Sequence, residues 1–367
     1  MVVKYQRFNF IVFLVSLVPL VSVATINYII DPYGVFAFPK IDKVNNLKTE
    51  QKNTGRIYKS FDIRRIKPKI ILLGSSRVED GLSSQHPALI KRGNTYNLGF
   101  QAGNTYEILR YLEHTINQQP ELEQVILGID FFMFNKFLPN QNTFDEQRLS
   151  KAYPIKDSLN FLLSIDALNS SKNTLIASLK ARNQPTLEQS QKQFQFWLQE
   201  FLQNQQLYGR YTLSQNRLTT LQSIVDLCQQ HNIELKIFIS PTHATQYEAI
   251  AVAELWTTFE HWKKEIVKIT PIWDFATYNS VTTEAISDRM ENYIDSSHYS
   301  EKTGNLILNR ILTYDSEKVP EDFGILITEK NIESHLDNNR RARKQWRNNA
   351  AEEVRLVKQI KKNIESK

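Results

Sequence analysis

Three apolar runs limit the folds open to this chain: Ile70-Ile71-Leu72-Leu73, Val125-Ile126-Leu127-Gly128-Ile129 and, interrupted only by Lys236, Leu235-Lys236-Ile237-Phe238-Ile239. Runs of this length without polar alternation suit strands buried on both faces, as in a parallel sheet. Thr95-Tyr96-Asn97-Leu98 reads as a short second strand, and Pro271-Ile272-Trp273-Asp274-Phe275 as the last one. Helical patterns lie between them. Asn104 is placed to cap a helix running to about Thr115, Gln215 to Gln230 is a long helix, and Thr303 to Thr313 is another. Strands alternating with helices imply βαβ units, hence the α/β class with a central parallel sheet. In such sheets ligands bind beyond the carboxyl ends of the strands. Gly74, Gly99, Asp130, Ser240 and Phe275 fall at those ends.

Two short strings near these ends carry chemistry. Gly74-Ser75-Ser76-Arg77 follows the first strand, and Asp295-Ser296-Ser297-His298 precedes the Thr303 helix. A serine hydroxyl is a weak nucleophile until an imidazole takes its proton. The imidazole in turn needs a carboxylate to fix its tautomer and stabilise its cation. The order Ser, Asp, His, with the last two on one loop, resembles the SGNH/GDSL hydrolase superfamily. That resemblance implies a three-layer sandwich around a central parallel sheet, of SGNH/flavodoxin-like type. It makes Ser76 the nucleophile, with Ser75 the fallback, and His298 and Asp295 its partners. Asn97-Leu98-Gly99-Phe100-Gln101-Ala102-Gly103-Asn104 looks like the block that supplies an oxyanion donor, with Gly103 the better candidate and Asn104 beside it. The block that usually carries an oxyanion-binding Asn departs, because Asp130 stands there. An ionised carboxylate donates no hydrogen bond, and a missing oxyanion donor costs about 10²–10³ in turnover. Either Asp130 is protonated, or it has another job, or Arg77 or a main-chain amide supplies the donor. Membrane-anchored relatives that modify envelope polymers, of the teichoic-acid D-alanyl transfer and alginate O-acetylation types, vary these same blocks. The chain looks like that branch.

Phe8 to Ile30 is almost wholly apolar and long enough to cross a bilayer, which needs about 20 residues. Lys4 and Arg7 precede it, so the positive-inside rule keeps residues 1–7 cytoplasmic and exports the rest. The expectation is a bacterial inner-membrane protein with a periplasmic domain. A cleaved signal peptide ending near Ser22-Val23-Ala24 is the competing reading. Residues 31–67 then form a connecting arm, 68–314 the α/β domain, and 315–367 a basic helical tail. Asn338 to Lys367 holds ten Lys/Arg against three Glu, leaving 35 basic against 36 acidic residues elsewhere. The basic excess therefore sits in the tail, which is either a solvated helix or one resting on anionic lipid or an acidic polymer. Nucleic acid is not an expected partner of an exported domain.

The stretch from Phe134 to Arg210 reads as a mostly helical insertion holding Phe194, Phe196, Trp197 and Phe201. It is either a lid or wall of the site, or an ordinary packing subdomain. His243, at the end of the fourth strand, either lines the pocket or is structural. Arg77 either contacts substrate or pairs with Glu79 or Asp80. The single Cys228 excludes an intramolecular disulfide and reads as a core thiol. No histidine pair has ligand spacing and no phosphate loop is present, so neither metal nor cofactor is expected. Three functions follow: an esterase, an acyltransferase working with a membrane acyl-donor protein on an acylated glycan or other envelope polymer, or a non-catalytic envelope scaffold.

Overall fold

The computed structural model describes residues 2–150, 152, 154–180, 191–287 and 289–366. Helices α1 (Val2–Ile30) and α2 (Gly55–Ile66) come first, then β1 (Ile70–Ser75), the short α3 (Ser76–Gly81) and α4 (Pro87–Ile90). They are followed by β2 (Thr95–Phe100), α5 (Thr105–Gln118) and β3 (Gln124–Ile129). Helices α6 (Ile155–Leu163), α7 (Ile165–Lys180), α8 (Gln191–Gln203) and α9 (Gln215–Gln230) lead to β4 (Glu234–Ile239). Next come α10 (Ala244–Val252), α11 (Trp256–Ile269), β5 (Ile272–Asp274) and α12 (Glu301–Leu312). The order closes with β6 (Ile325–Ile327), α13 (Ile332–Asn349) and α14 (Ala351–Glu365). These elements form two compact units, Met1–Arg65 with Thr143–Leu187, and Ile66–Asn142 with Glu188–Lys367.

The second unit holds a mixed α/β fold on a six-stranded sheet of order β2-β1-β3-β4-β5-β6. β1 to β5 pair in parallel, and β6 runs antiparallel to β5. β1 and β3 are buried along their whole length, which is why they are written without polar alternation. Beneath them Phe238, Phe275, Tyr293, Tyr299 and Leu308 share one core cluster.

The sheet does not end where the sequence suggests. β6 lies beyond residue 314, past the expected limit of the domain, and covers the edge of β5. Three residues, Ile-Leu-Ile, are too few to declare a strand by pattern. The tail also belongs to this unit rather than hanging free. Arg340 forms a two-pronged pair with Glu260 (2.8 and 2.6 Å), and Arg343 reaches the buried Glu248 at 3.0 Å. Trp346 packs on Tyr278 with ring centroids 5.3 Å apart. His335 on α13 meets the buried Asp274 at 2.7 Å, beside Lys263 at 2.5 Å. Burial works to raise the Asp274 carboxyl, but Lys263 and His335 outweigh it and hold that group well below the usual carboxylate range. Cys228 is buried on α9, and desolvation pushes its thiol up to about 12, as a core thiol requires.

In the first unit, α1 is long and apolar enough to cross a membrane, with mean hydropathy 2.3 over Tyr5–Ile30. The arm after it folds on itself. Buried Asp31 accepts from Lys48 Nζ (2.5 Å) and from the amides of Phe36 and Phe38 (3.2 Å each). The expected insertion at 134–210 divides, since 143–187 group with α1 and the arm while 188–210 group with the sheet.

Two glycines fix the spacing of the elements that flank the site. A methyl placed on Gly304 of α12 would overlap the carbonyl oxygen of Gly81 on α3, so the two backbones touch. Gly304→Ala is expected to force these helices apart. The cost is about 1–3 kcal/mol, as for other overpacked sites, and chemical denaturation followed by tryptophan fluorescence will measure it.

Candidate active site

The chain leaves β1 toward β2 on one side and returns to β3 on the other, so the crevice between the ends of β1 and β3 is the topological switch point of the sheet. Ser75 ends β1 and caps α3, its Oγ accepting from the Arg77 amide at 3.2 Å. Its hydroxyl also donates to Asp130 Oδ2 at 2.5 Å. Ser75 is thus held inward, while Ser76, the first residue of the helix, presents Oγ to His298 Nε2 at 2.9 Å. The structure separates the two serines that the sequence leaves as candidate and fallback.

His298 lies on a loop closed by a bridge between the buried Tyr293 and Tyr299 and by a 2.9 Å bond from the Ile294 amide to the His298 carbonyl. The loop brings Asp295 under the imidazole, with Nδ1 at 2.9 and 3.0 Å from its two oxygens. Asp295 Oδ1 also accepts the amides of Ser297 (2.7 Å) and His298 (2.8 Å), so the carboxylate cannot swing away. Nδ1–H faces a carboxylate, which leaves Nε2 as the acceptor for the Ser76 proton.

Arg77 and Asp130 are paired with each other. Arg77 makes no pair with Glu79 or Asp80. Its Nη1 meets Asp130 Oδ1 at 2.5 Å, Nε donates to the Ser297 carbonyl at 3.0 Å, and Nη2 reaches Ser297 Oγ at 3.1 Å. Both side chains are buried. Burial opposes the Arg77 charge, yet the Asp130 carboxylate more than compensates and raises its pKa. Asp130 therefore has another job than oxyanion donor. It anchors Ser75 and Arg77, and through Arg77 the loop that bears His298.

Three other candidates have their polar groups engaged. The Gly103 amide donates to the Phe100 carbonyl at 3.1 Å. Asn104 caps α5, accepting from Tyr106 and Glu107 (3.0 Å each) and from Arg217 (2.9 Å), while Nδ2 donates to Pro139 and Asn140. His243 caps α10, takes the Thr245 amide on Nδ1 at 3.3 Å, and donates from Nε2 to the Glu284 carbonyl at 2.6 Å. It supports the loop from behind, its amide bonded to the Ser296 carbonyl at 3.2 Å. Among the described residues no group of three or more His, Cys, Asp or Glu is placed to hold a metal ion.

The cover of the site was the part least visible in the sequence. The Trp197 ring stands edge-on to His298 with centroids 5.0 Å apart, and Phe201 lies 5.6 Å from the Arg77 guanidinium, with Phe132 at 5.4 Å. Helix α8 is held there by Leu198 and Leu202 against Ala249 and Val357. Ser76 and His298 are only 8% and 6% exposed as a result. The aromatic spacing on α8 marked a helix face, but nothing local to it names the imidazole it covers.

Neither a family model nor a curated protein matches the chain. Among solved structures, one described as a "putative platelet activating factor from Streptococcus pneumonia" is similar at 13% identity, covering 71% of this chain and 92% of its own, with a TM-score of 0.34. So loose a superposition carries no argument about this chain.

Two outcomes test the electrostatics. Asp130→Ala strands a buried guanidinium and is expected to cost about 3–5 kcal/mol in equilibrium denaturation. His243 is depressed from its ordinary 6.5 to about 4 by burial, against the pull of the Glu284 carbonyl. The unfolded chain binds this proton first, so the His243 contribution to stability is complete above pH 6.5 and is lost as pH falls from 6.5 to about 4. His243→Asn, which keeps a capping side chain, is expected to flatten the stability profile across that window.

Proposed function

We propose that the protein is a membrane-anchored, extracytoplasmic SGNH-like serine esterase or O-acyltransferase acting on an acylated glycan or other cell-envelope polymer. The observation that carries this reading is the relay of hydrogen bonds from Ser76 through His298 to Asp295. The β2-β1-β3-β4-β5 order, which flavodoxin-like sheets share, supports the SGNH-type sandwich. An extracytoplasmic placement rests on α1 and the charges before it.

In this reading His298 Nε2 takes the Ser76 proton as Oγ bonds to the ester carbonyl carbon. The carbonyl π electrons move to oxygen, and Asp295 stabilises the imidazolium. Collapse of the tetrahedral adduct expels the alkoxide, which receives the proton from His298 and leaves an acyl-serine. Water, or a sugar hydroxyl deprotonated by His298, then repeats the steps in reverse. The oxyanion would be received by the main-chain amide of Ser76 at the start of α3. A second donor from Gly103 requires its amide to leave the Phe100 carbonyl, and Arg77 is committed to Asp130 and Ser297. In the transferase form a membrane acyl-donor protein is the partner that loads Ser76.

One observation favours the scaffold alternative: the position where an Asn donor is expected holds a carboxylate fully engaged in structure. Labelling by a fluorophosphonate probe separates the readings. Labelling of the full chain in detergent, lost by at least about 10⁴-fold in rate in Ser76→Ala and His298→Ala but retained in Ser75→Ala, is the expected result. A folded chain that does not label at Ser76 overturns the enzymatic reading. Acylated glycans tested with and without acceptor sugars then separate hydrolysis from transfer.

A further inference from the structure

Helices α6 and α7 are built the wrong way round for contact with water. α7 buries small residues, Ala167, Ser171, Thr174 and Ser178, at the helical spacing of one face. Their hydroxyls are bonded within the first unit, Ser171 to Asn27 (2.8 Å), Thr174 to Thr49 (2.8 Å) and Ser178 to the Leu47 amide (3.2 Å). The large apolar side chains point outward instead, with Ile165 at 76% exposure and Leu179 at 60%. α6 buries no residue and exposes Ile155 (64%), Leu159 and Leu163, which fall within about 80° of one another around the helix axis. Small polar residues facing protein and large apolar ones facing out is the pattern of helices solvated by lipid.

The place of these helices names what solvates them. Asn27, in the last turn of α1, is fully buried and donates to the Leu162 carbonyl at 2.9 Å while accepting from Ser171. The junction of α6 and α7 is therefore tied to the end of α1, which is long and apolar enough to cross a bilayer. Aromatic rings gather at the same level: Tyr28 lies 5.5 Å from Phe36 and from Phe38, and Tyr33 is 5.0 Å from Phe161. Tyr rings concentrate where a span meets the headgroups. Lys172 sits among the exposed apolar residues of α7 with a stem long enough to bring its ammonium to water.

We propose that α6 and α7 lie in the surface layer of the membrane crossed by α1, with Ile155, Leu159, Leu163, Ile165 and Leu179 immersed among the acyl chains. The occupant is lipid rather than a protein because α6 and α7 are bonded to the end of α1, which exposes an apolar surface long enough to cross a bilayer. Such a pair turns a single tether into a broad seat on the membrane, since binding strengthens with the apolar area immersed. The proposal is independent of the chemistry assigned to Ser76.

Site-directed spin labelling tests it on the full chain in phosphatidylcholine nanodiscs. The native thiol, Cys228, is buried and is removed by Cys228→Ala. Labels enter one at a time through Ile155→Cys, Ile165→Cys and Leu179→Cys, with Val12→Cys in α1 as the lipid reference and Asn160→Cys and Asn173→Cys on the polar faces. The expected result is collision with oxygen well above collision with a water-soluble nickel chelate at 155, 165 and 179, at lesser depth than Val12, and the reverse at Asn160 and Asn173. Nickel accessibility at Ile155, Ile165 and Leu179 equal to that at Asn173 overturns the proposal. So does low accessibility to both reagents, the mark of a protein partner or a second copy, and so does an aqueous signal at Val12.

Discussion

The pair of Arg77 with Asp130 is the contact on which the candidate site depends. It joins three pieces that the sequence keeps far apart: the turn after β1, the end of β3, and the loop that carries Asp295 and His298. A buried ion pair is weak evidence of net stability, because desolvation opposes the Coulomb attraction. Its value here is geometric. Each partner left alone would be a buried charge, so an arrangement that separates them is excluded, and the one that keeps them together also holds Ser76 within reach of His298.

Around that pair the fold does ordinary work. Parallel pairing of β1 with β2 and β3 puts β1 inside the sheet, with a strand on either side and every residue buried. The Asp295–His298 loop is braced from below by Tyr293 and Tyr299 and from behind by His243, so its geometry does not rely on the bond to Ser76. A site built this way is organised before any ligand arrives, which is what electrostatic catalysis requires.

Much of this could be read from the residues, for physical reasons. Strands buried on both faces are mostly apolar, so β1 and β3 showed themselves, and so did β4 through its buried end Ile237-Phe238-Ile239. Ser76, Asp295 and His298, which the structure brings within hydrogen-bond reach of one another, were visible because the proposed chemistry needs a turn, a short loop and a fixed order. Asn104 was legible as the cap of α5, but the roles of Arg77 and His243 were not, since a polar residue at a strand end looks the same whether it faces substrate or holds a loop. β6 was missed because three residues give no period to count. The tail looked like a free cationic helix, for the carboxylates beneath it, Glu248 and Glu260, lie far away in sequence and are buried. The apolar outer face of α7 was hidden by the polar residues it buries, which dilute the average of the segment.

The position of β6 has a consequence for the integrity of the chain. Loss of the chain beyond Tyr314 by proteolysis would keep Ser76, Asp295 and His298 but strip the cover from β5 and take Val357 away from α8. The released edge would show unpaired amides and carbonyls beside an apolar strand, a template for pairing with another molecule. It would also remove His335 from Asp274 and leave Glu248 and Glu260, both buried, without their arginines. A nicked protein would thus be exposed to self-association, and the segment after Tyr314 acts as the seal on the sheet.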